Sequence, residues 1–149
     1  MKLAALALLV IAAPAVAQER PVKQSELPPA VARTVATVSQ GATVRGFSRE
    51  VENGQTLYEV ELRVNGHGKD VTMDSTGAVV EVEEEVALAS LPAAVQAGLR
   101  TGAGAGTIGT VESLTKHGQL VAYEAHVVTA GNRSEVQVGP DGKPLAQRQ

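Results

Sequence analysis

The chain has 149 residues, a formal net charge of −3 and no cysteine. The absence of thiols excludes disulfide bonds, cysteine nucleophiles and thiolate metal sites. A mildly acidic chain without a basic cluster argues against nucleic acid and an anionic membrane surface as partners. Phe47, Tyr58 and Tyr123 are the aromatic residues, so the core must consist largely of valine, leucine and alanine.

The first 17 residues have the three parts of a secretory signal peptide. Lys2 supplies the positive charge, residues 3–13 are uninterruptedly apolar, and Ala15-Val16-Ala17 offers small residues for cleavage before Gln18. The apolar run is shorter than the roughly 20 residues that a membrane-spanning helix needs. We therefore predict a periplasmic or secreted protein whose mature chain has no membrane span.

The rest of the sequence repeats itself with an offset of 64 and then 65 residues. Leu27-Pro28-Pro29-Ala30-Val31 recurs as Leu91-Pro92-Ala93-Ala94-Val95, and after one inserted residue Tyr58-Glu59 recurs as Tyr123-Glu124. Ordered matches with a single insertion are typical of a tandem duplication. The predicted modules are residues 25–86 and 90–146, with residues 83–90 as the link between them.

Each module is predicted to begin with a helix. Val31, Val35 and Val38 recur at helical spacing after two prolines, and Gly41 ends the pattern. In the second module the glycines within residues 98–106 predict a shorter helix with a flexible end.

Strands are predicted after each helix. Asn53-Gly54 favours a tight hairpin, because both residues tolerate a positive φ. Residues 58–64 then alternate between apolar and charged side chains, which predicts one buried and one solvated face. The second module follows the same order, and Pro144 in its last strand is expected at a sheet edge. The predicted fold class is α+β, with two tandem repeats that each contain one helix followed by a four-stranded antiparallel meander.

These residues resemble a known family. The pattern Leu-Pro-x-Ala-Val at residues 27–31, the small residues 42–44, Tyr58-Glu59-Val60 and the turn at residues 74–77 resemble PepSY and PepSY-like domains of exported bacterial proteins. A tandem pair of such domains is similar in architecture to the secreted β-lactamase inhibitor proteins. The resemblance implies protein binding, with inhibition or local control of a peptidase as its expected result.

Nothing in the sequence predicts an enzyme. His67 and His117 fall in predicted turns and His126 falls on a solvated strand face, and none of them has a motif partner. No nucleophile elbow or equivalent motif is present. We therefore predict no catalytic residue and no cofactor.

The acidic run near residue 83 has two interpretations, a calcium site and a solvated strand end, and the sequence favours the second. Glu81 and residues 83–85, with Asp74 nearby, provide the carboxylates that calcium prefers. However, Asp74-Ser75-Thr76-Gly77 is explained as an Asx turn, and a charge run after an apolar strand is usually solvated. We predict no metal site.

The charged face of the strands is the predicted partner-binding surface. Its predicted residues are Glu59, Glu61, Arg63, Glu124, His126 and Val128. Two joined sheets could supply the roughly 800 Å² per partner that a specific interface needs. The leading prediction is an exported bacterial binding module that inhibits or regulates a peptidase or another envelope enzyme, with another exported protein as its partner. The alternative is a structural or envelope-stress protein, able to bind metal, without a specific enzyme target.

Overall fold

The computed structural model describes residues 19–149, so the predicted signal peptide lies outside the described residues. These residues form one eight-stranded antiparallel sheet, whose strands follow the chain order, and two α-helices. The strands are β1 (Arg20–Pro21), β2 (Thr43–Glu52), β3 (Gln55–Val64), β4 (His67–Asp74), β5 (Val79–Glu85), β6 (Thr107–Lys116), β7 (Gln119–Thr129) and β8 (Asn132–Val138). The helices are α1 (Pro29–Val38) and α2 (Ala93–Ala103). Neither helix combines the length and the apolar composition that crossing a membrane requires.

The predicted fold class is wrong. The chain is mostly β and does not form two tandem units of one helix and four strands, because β5 pairs directly with β6 and one sheet runs through both halves. Residues Glu83–Glu85, predicted to be part of a link, belong to β5. Three strands follow α2, where four were predicted. Pro144 has no N–H with which to extend a ladder, so its segment forms one isolated bridge with Val138 and not a strand. The two-residue β1 supplies the eighth strand.

The hairpin turns are well encoded by the sequence. The predicted turn at Asn53-Gly54 is confirmed, with φ values of 49° and 79°. Two successive positive φ values give the turn geometry whose twist matches that of paired strands. The same geometry occurs at Asn65-Gly66, His117-Gly118 and Ala130-Gly131.

Both helices cover the same face of the sheet, which we call the helix face. Val31 and Val35 of α1 pack with Val60 and Val71 in one apolar cluster. Val95 and Leu99 of α2 pack in a second cluster, whose sheet residues are Val111, Ala125, Val127 and Val138. The register across β5 and β6 keeps these two clusters on one face.

The prediction that glycines shorten the second helix is also wrong. Helix α2 has 11 residues and α1 has 10. A Cβ atom on Gly98 would collide with the carbonyl oxygen of Gly142, and one on Gly102 would collide with Val136. These glycines therefore allow α2 to approach the sheet and the last turn closely.

Candidate functional site

Within residues 19–149, no helix covers the opposite face of the sheet, and this face is rich in acidic side chains. We call it the carboxylate face. Its acidic residues include Glu50, Glu52, Glu59, Glu61, Asp70, Glu81, Glu83, Glu85, Glu112, Glu124 and Glu135. Glu61, Asp70 and Glu83 lie directly opposite one another on β3, β4 and β5. Like charges in opposed positions destabilise a sheet, so this row is not explained by the needs of folding.

Three of these carboxyl groups have strongly altered proton affinities. Burial, followed by the nearby charge of Asp70, raises the pKa of Glu59 to about 8. Burial also raises the pKa of Glu83 to about 7, with Glu81 as the next cause, and that of Asp70 to about 6, with Glu61 as the next cause. Near neutral pH, Glu59 and Glu83 therefore favour either a bound proton or a nearby cation, and Asp70 does so at a slightly lower pH.

The local packing explains part of this burial. Leu114 lies directly opposite Glu83 across β5 and β6, and it is paired in turn with Ala122 on β7. Both apolar side chains are buried although they lie on the carboxylate face. Similarly, Glu59 lies opposite Ser48, the one polar residue buried among those that the structure describes. Water is thus partly excluded around Glu59 and Glu83.

An open cleft of about 660 Å³ crosses the carboxylate face. Glu59 and Glu83 line it, Lys116 and His117 lie beside them on β6 and in the following turn, and Arg148 also reaches it. Since the lining spans β2 to β6 and the C-terminal residues, the face curves around this space. A groove of this kind can accommodate part of another chain.

Basic side chains contact some of these carboxylates. The Nζ atom of Lys116 lies 3.1 Å from Glu81 Oε2, and the Nε2 atom of His126 lies 3.2 Å from Glu112 Oε2. Within residues 19–149, no such ion pair forms with Glu59, Asp70 or Glu83. The centre of the face therefore carries uncompensated carboxyl groups.

The C-terminal tail, residues 145–149, lies over one end of the face. The Arg148 guanidinium donates to Glu124 Oε2 at 2.8 Å and also to Glu135 Oε2. The hydrogen bond to Glu135 raises the pKa of Arg148 further. The backbone N–H of Gln149 donates to Gln137 Oε1 at 2.9 Å. The chain's own terminus thus contacts carboxylates of this face.

All six predicted partner-binding residues lie on the carboxylate face. Glu59, Glu61 and Arg63 are on β3, and Glu124, His126 and Val128 are on β7. Strands β3 and β7 are four spacings apart, about 19 Å along the sheet, so these residues form two patches. Their role in binding stays a prediction.

Other residues of this face were not predicted, among them Asp70, Glu83, Glu112 and Arg148. Asp70 and Glu83 could have been found, because strand alternation from Val71 and Val82 directs both to the charged face. Arg148 could not, because no local pattern defines the path of the tail.

One group of side chains on β6 and β7 has the spacing of a metal site. Ligand atoms of Glu112, Glu124 and His126 lie within 4.8 Å of one another, and carboxylate and imidazole groups bind divalent cations. However, Glu124 already accepts hydrogen bonds from Arg148 and from Gln137. A guanidinium therefore occupies a position where a metal would act.

The acidic run at the end of β5 is not a single cluster. Glu81, Glu83 and Glu85 face the carboxylate side, whereas Glu84 faces the other side. There Lys69 Nζ and His67 Nε2 lie 2.9 Å and 3.0 Å from its carboxylate oxygens. These hydrogen bonds outweigh the effect of burial and lower the pKa of Glu84.

The predicted Asx turn is confirmed. Asp74 Oδ1 accepts hydrogen bonds from the backbone N–H of Thr76 at 2.8 Å and of Ala78 at 3.1 Å. The turn therefore engages one oxygen, Oδ1, of the Asp74 carboxylate.

The histidines are in three different settings. His67 was predicted in a turn but is the first residue of β4, where Glu84 holds it. His117 is in the predicted turn with φ 48°, and His126 is on the solvated face as predicted. The prediction of a turn failed at His67 because the turn is completed by Asn65-Gly66 alone.

Comparison with known proteins supports the fold. No protein-family model matches the sequence, and no curated protein matches it either. A candidate periplasmic protein of Bacteroides eggerthii superposes with a TM-score of 0.65 at 17% identity, over 82% of this chain and 88% of that chain. A DUF2874 family protein of Bacteroides ovatus gives 0.64 at 19% identity, over 82% and 86%.

A BLIP-like protein of Bacteroides fragilis, that is, one like the β-lactamase inhibitor proteins, gives a TM-score of 0.59 at 19% identity, over 82% and 86% of the two chains. This agrees with the architectural similarity expected from the sequence, whereas the resemblance to PepSY domains is not confirmed by these structures. The described chain has a BLIP-like fold.

Proposed function

We propose that this protein is an exported bacterial binding module that binds another exported protein through its carboxylate face. The observation that carries the proposal is the continuous face that no helix of the described residues covers, with carboxyl groups at its centre that form no ion pair with those residues. Glu61, Asp70 and Glu83 cost stability where they stand, and a partner that supplies complementary groups would remove that cost. Export is supported by the signal-peptide pattern and by the fold shared with a candidate periplasmic protein.

The finer form of the proposal is that binding inhibits or regulates a peptidase or another envelope enzyme. Two observations support it: the sequence resemblance to PepSY-like domains and the fold shared with a BLIP-like protein. We also propose that the protein has no catalytic activity of its own. In the described chain His67 and His126 are paired with glutamates, an arrangement that provides no nucleophile.

Affinity capture with matched charge reversals tests this function. The mature protein, immobilised and exposed to periplasmic extract, is compared with Glu61→Lys on the carboxylate face and Glu26→Lys near the helices. Both glutamates are exposed, so neither change should unfold the protein. We expect Glu61→Lys to lose the captured partner and Glu26→Lys to retain it. Equal capture by both variants, or cross-links confined to the helices, would refute a partner site on this face.

A metal-binding structural protein is the second candidate function, favoured by the cluster of Glu112, Glu124 and His126. A titration with zinc or calcium, followed by calorimetry, tests it. His126→Ala should abolish the heat of binding if the cluster is the site. No heat with either ion would eliminate this candidate.

A further inference from the structure

We propose that the carboxylate face binds an extended basic segment of the partner protein, and that the C-terminal tail competes with this segment through Arg148. The inference rests on the proposed function, which places the partner on this face. It adds the chemistry of the partner and a means of regulating access.

The charge of the face defines what it can bind. Glu59, Asp70 and Glu83 lie near one another on β3, β4 and β5, and among the described residues they form no ion pair with a basic side chain. Partial burial of these groups raises their pKa values, which is the response of carboxyl groups that lack a cation. Cationic side chains that enter the cleft would convert these groups into charge-assisted hydrogen-bond acceptors.

Arg148 shows that a guanidinium fits this face. Its donors reach Glu124 on β7 and Glu135 on β8 at the same time. Gln149 adds a backbone hydrogen bond to the side chain of Gln137 on β8. A planar guanidinium bonded to two carboxylates, with backbone bonds beside it, is the pattern expected for a bound basic peptide.

The tail bonds carboxylates at one end of the face, and Arg148 and Gln149 also border the central cleft without bonding its carboxyl groups. In the described chain the carboxylates bonded to the tail are Glu124 and Glu135, while Glu59 and Glu83 in the cleft have no bond to it. The Arg148 side chain is 59% exposed, and exposed ion pairs contribute little to stability. A longer basic segment could therefore displace the tail while also reaching the centre.

Simple geometry sets the length of such a segment. Side chains on one side of an extended chain are about 7 Å apart. Three or four basic residues at alternate positions would therefore span the roughly 19 Å between β3 and β7. A small cation would satisfy one pair of carboxylates and leave the others uncompensated, so a peptide matches the face better.

The experiment uses a labelled nine-residue peptide that alternates arginine and serine, and a matched peptide with glutamine in place of arginine. Binding to the full mature protein is followed by fluorescence anisotropy at low salt. Removing the competing side chain with Arg148→Gln should tighten binding of the arginine peptide about 2-fold, because a larger fraction of the protein is then open for binding.

Lys143→Gln is the matched control. It removes the same charge from the same part of the chain, but Lys143 is 82% exposed and pairs with Asp141 in its own turn. We expect this variant to bind like the wild type. Glu83→Gln should weaken binding several-fold, and circular dichroism would verify that the fold is retained. Rising salt should weaken all of these interactions.

Three results would overturn the inference: equal affinities of Arg148→Gln and wild type, equal binding of the glutamine peptide, or binding of calcium by these carboxylates with no peptide binding. The outcome for the proposed function can be distinguished from the outcome for this inference. If Glu61→Lys loses its captured partner while the arginine peptide does not bind, the partner site stands and its basic chemistry is refuted. If neither partner capture nor peptide binding depends on the carboxylate face, the proposed function and this inference are both refuted.

Discussion

The two faces of the sheet are formed by the same strands, but they have opposite effects on the stability of the fold. On the helix face, Val60 and Val71 are directly paired, and they are 0% and 1% exposed. Both belong to the apolar cluster that also contains Val31 and Val35 of α1. One position along the same strands, Glu61 and Asp70 are also directly paired, and they repel each other. Strand alternation therefore lets one face provide stability while the other carries groups that reduce it.

This difference indicates where a function can reside without loss of the fold. The apolar area buried on the helix face contributes roughly 25 cal/mol per Å², which can offset the cost of unpaired carboxyl groups on the other face. The following predictions test how strictly the two roles are separated.

The largest effect is expected from a charge placed on the helix face. Val60→Asp buries a carboxylate at a position that is 0% exposed. A buried, unpaired charge costs several kcal/mol, and a domain of this size has about 5–15 kcal/mol of total stability. The variant should be largely unfolded by far-UV circular dichroism at 25 °C. Glu61→Gln, the neighbouring exposed residue, should remain folded. If both variants lost the same stability, the assignment of the faces would be wrong.

A smaller but clear effect is expected where α2 meets the last turn. Gly142 has φ 80°, and a Cβ atom there would collide with the backbone of Ala94 in α2. Gly142→Ala should cost about 3 kcal/mol, from the left-handed backbone and from overpacking together. Gly118 has a similar φ of 77° but open space around it, so Gly118→Ala should cost about 1 kcal/mol. Urea denaturation measures both. Equal costs would show that the close contact is not rigid.

Much of the fold was predictable because it depends on neighbouring residues. Alternation over residues 58–64 gave the faces of β3, and the Asn53-Gly54 pair gave the hairpin with its two positive φ values. The second module was predicted to follow the same order, and in the structure β6 (Thr107–Lys116) does follow α2. In each case the signal lies within a few residues of the element that it defines.

The joining of the halves was not predictable in the same way. The run Glu83-Glu84-Glu85 resembles a solvated link, and its strand conformation depends on pairing with β6, more than 20 residues later in the chain. The missing fourth strand after β8 and the position of Arg148 are also tertiary effects. Six residues of the candidate site were predicted on the correct face, but the pairing that brings Asp70 and Glu83 side by side depends on the register between strands.

The pH dependence of stability should reveal the carboxylate face. The folded-state pKa values of Glu59, Asp70 and Glu83 are raised to about 8, 6 and 7. Between the unfolded values near 4 and these folded values, the folded state binds more protons, so the free energy of unfolding falls as pH rises. The stabilisation is fully present below about pH 4 and is lost as pH passes through 6 to 8.

Glu83→Gln provides the control for this prediction. At pH 8 it removes one desolvated charge and should raise the free energy of unfolding by on the order of 1 kcal/mol, since solvent screening reduces the effect of a partly exposed group. At pH 4, where the wild-type carboxyl is already protonated, the variant should match the wild type. Thermal unfolding at the two pH values measures the difference. A profile in which the wild type gains stability between pH 4 and 8 and the variant does not would contradict this account.

The smallest effect is expected from the tail. Arg148 is 59% exposed and bonds Glu124 and Glu135 at one end of the carboxylate face. Exposed ion pairs contribute about 0–1 kcal/mol, so Arg148→Gln should lower the free energy of unfolding by less than about 0.5 kcal/mol. Lys143→Gln, with its local partner Asp141, should have a similarly small effect in urea denaturation. A loss above about 1 kcal/mol for Arg148→Gln alone would mean that the tail is part of the stable fold. The carboxylate face would then be occupied by a structural element, and the separation of roles between the two faces would fail at β7 and β8.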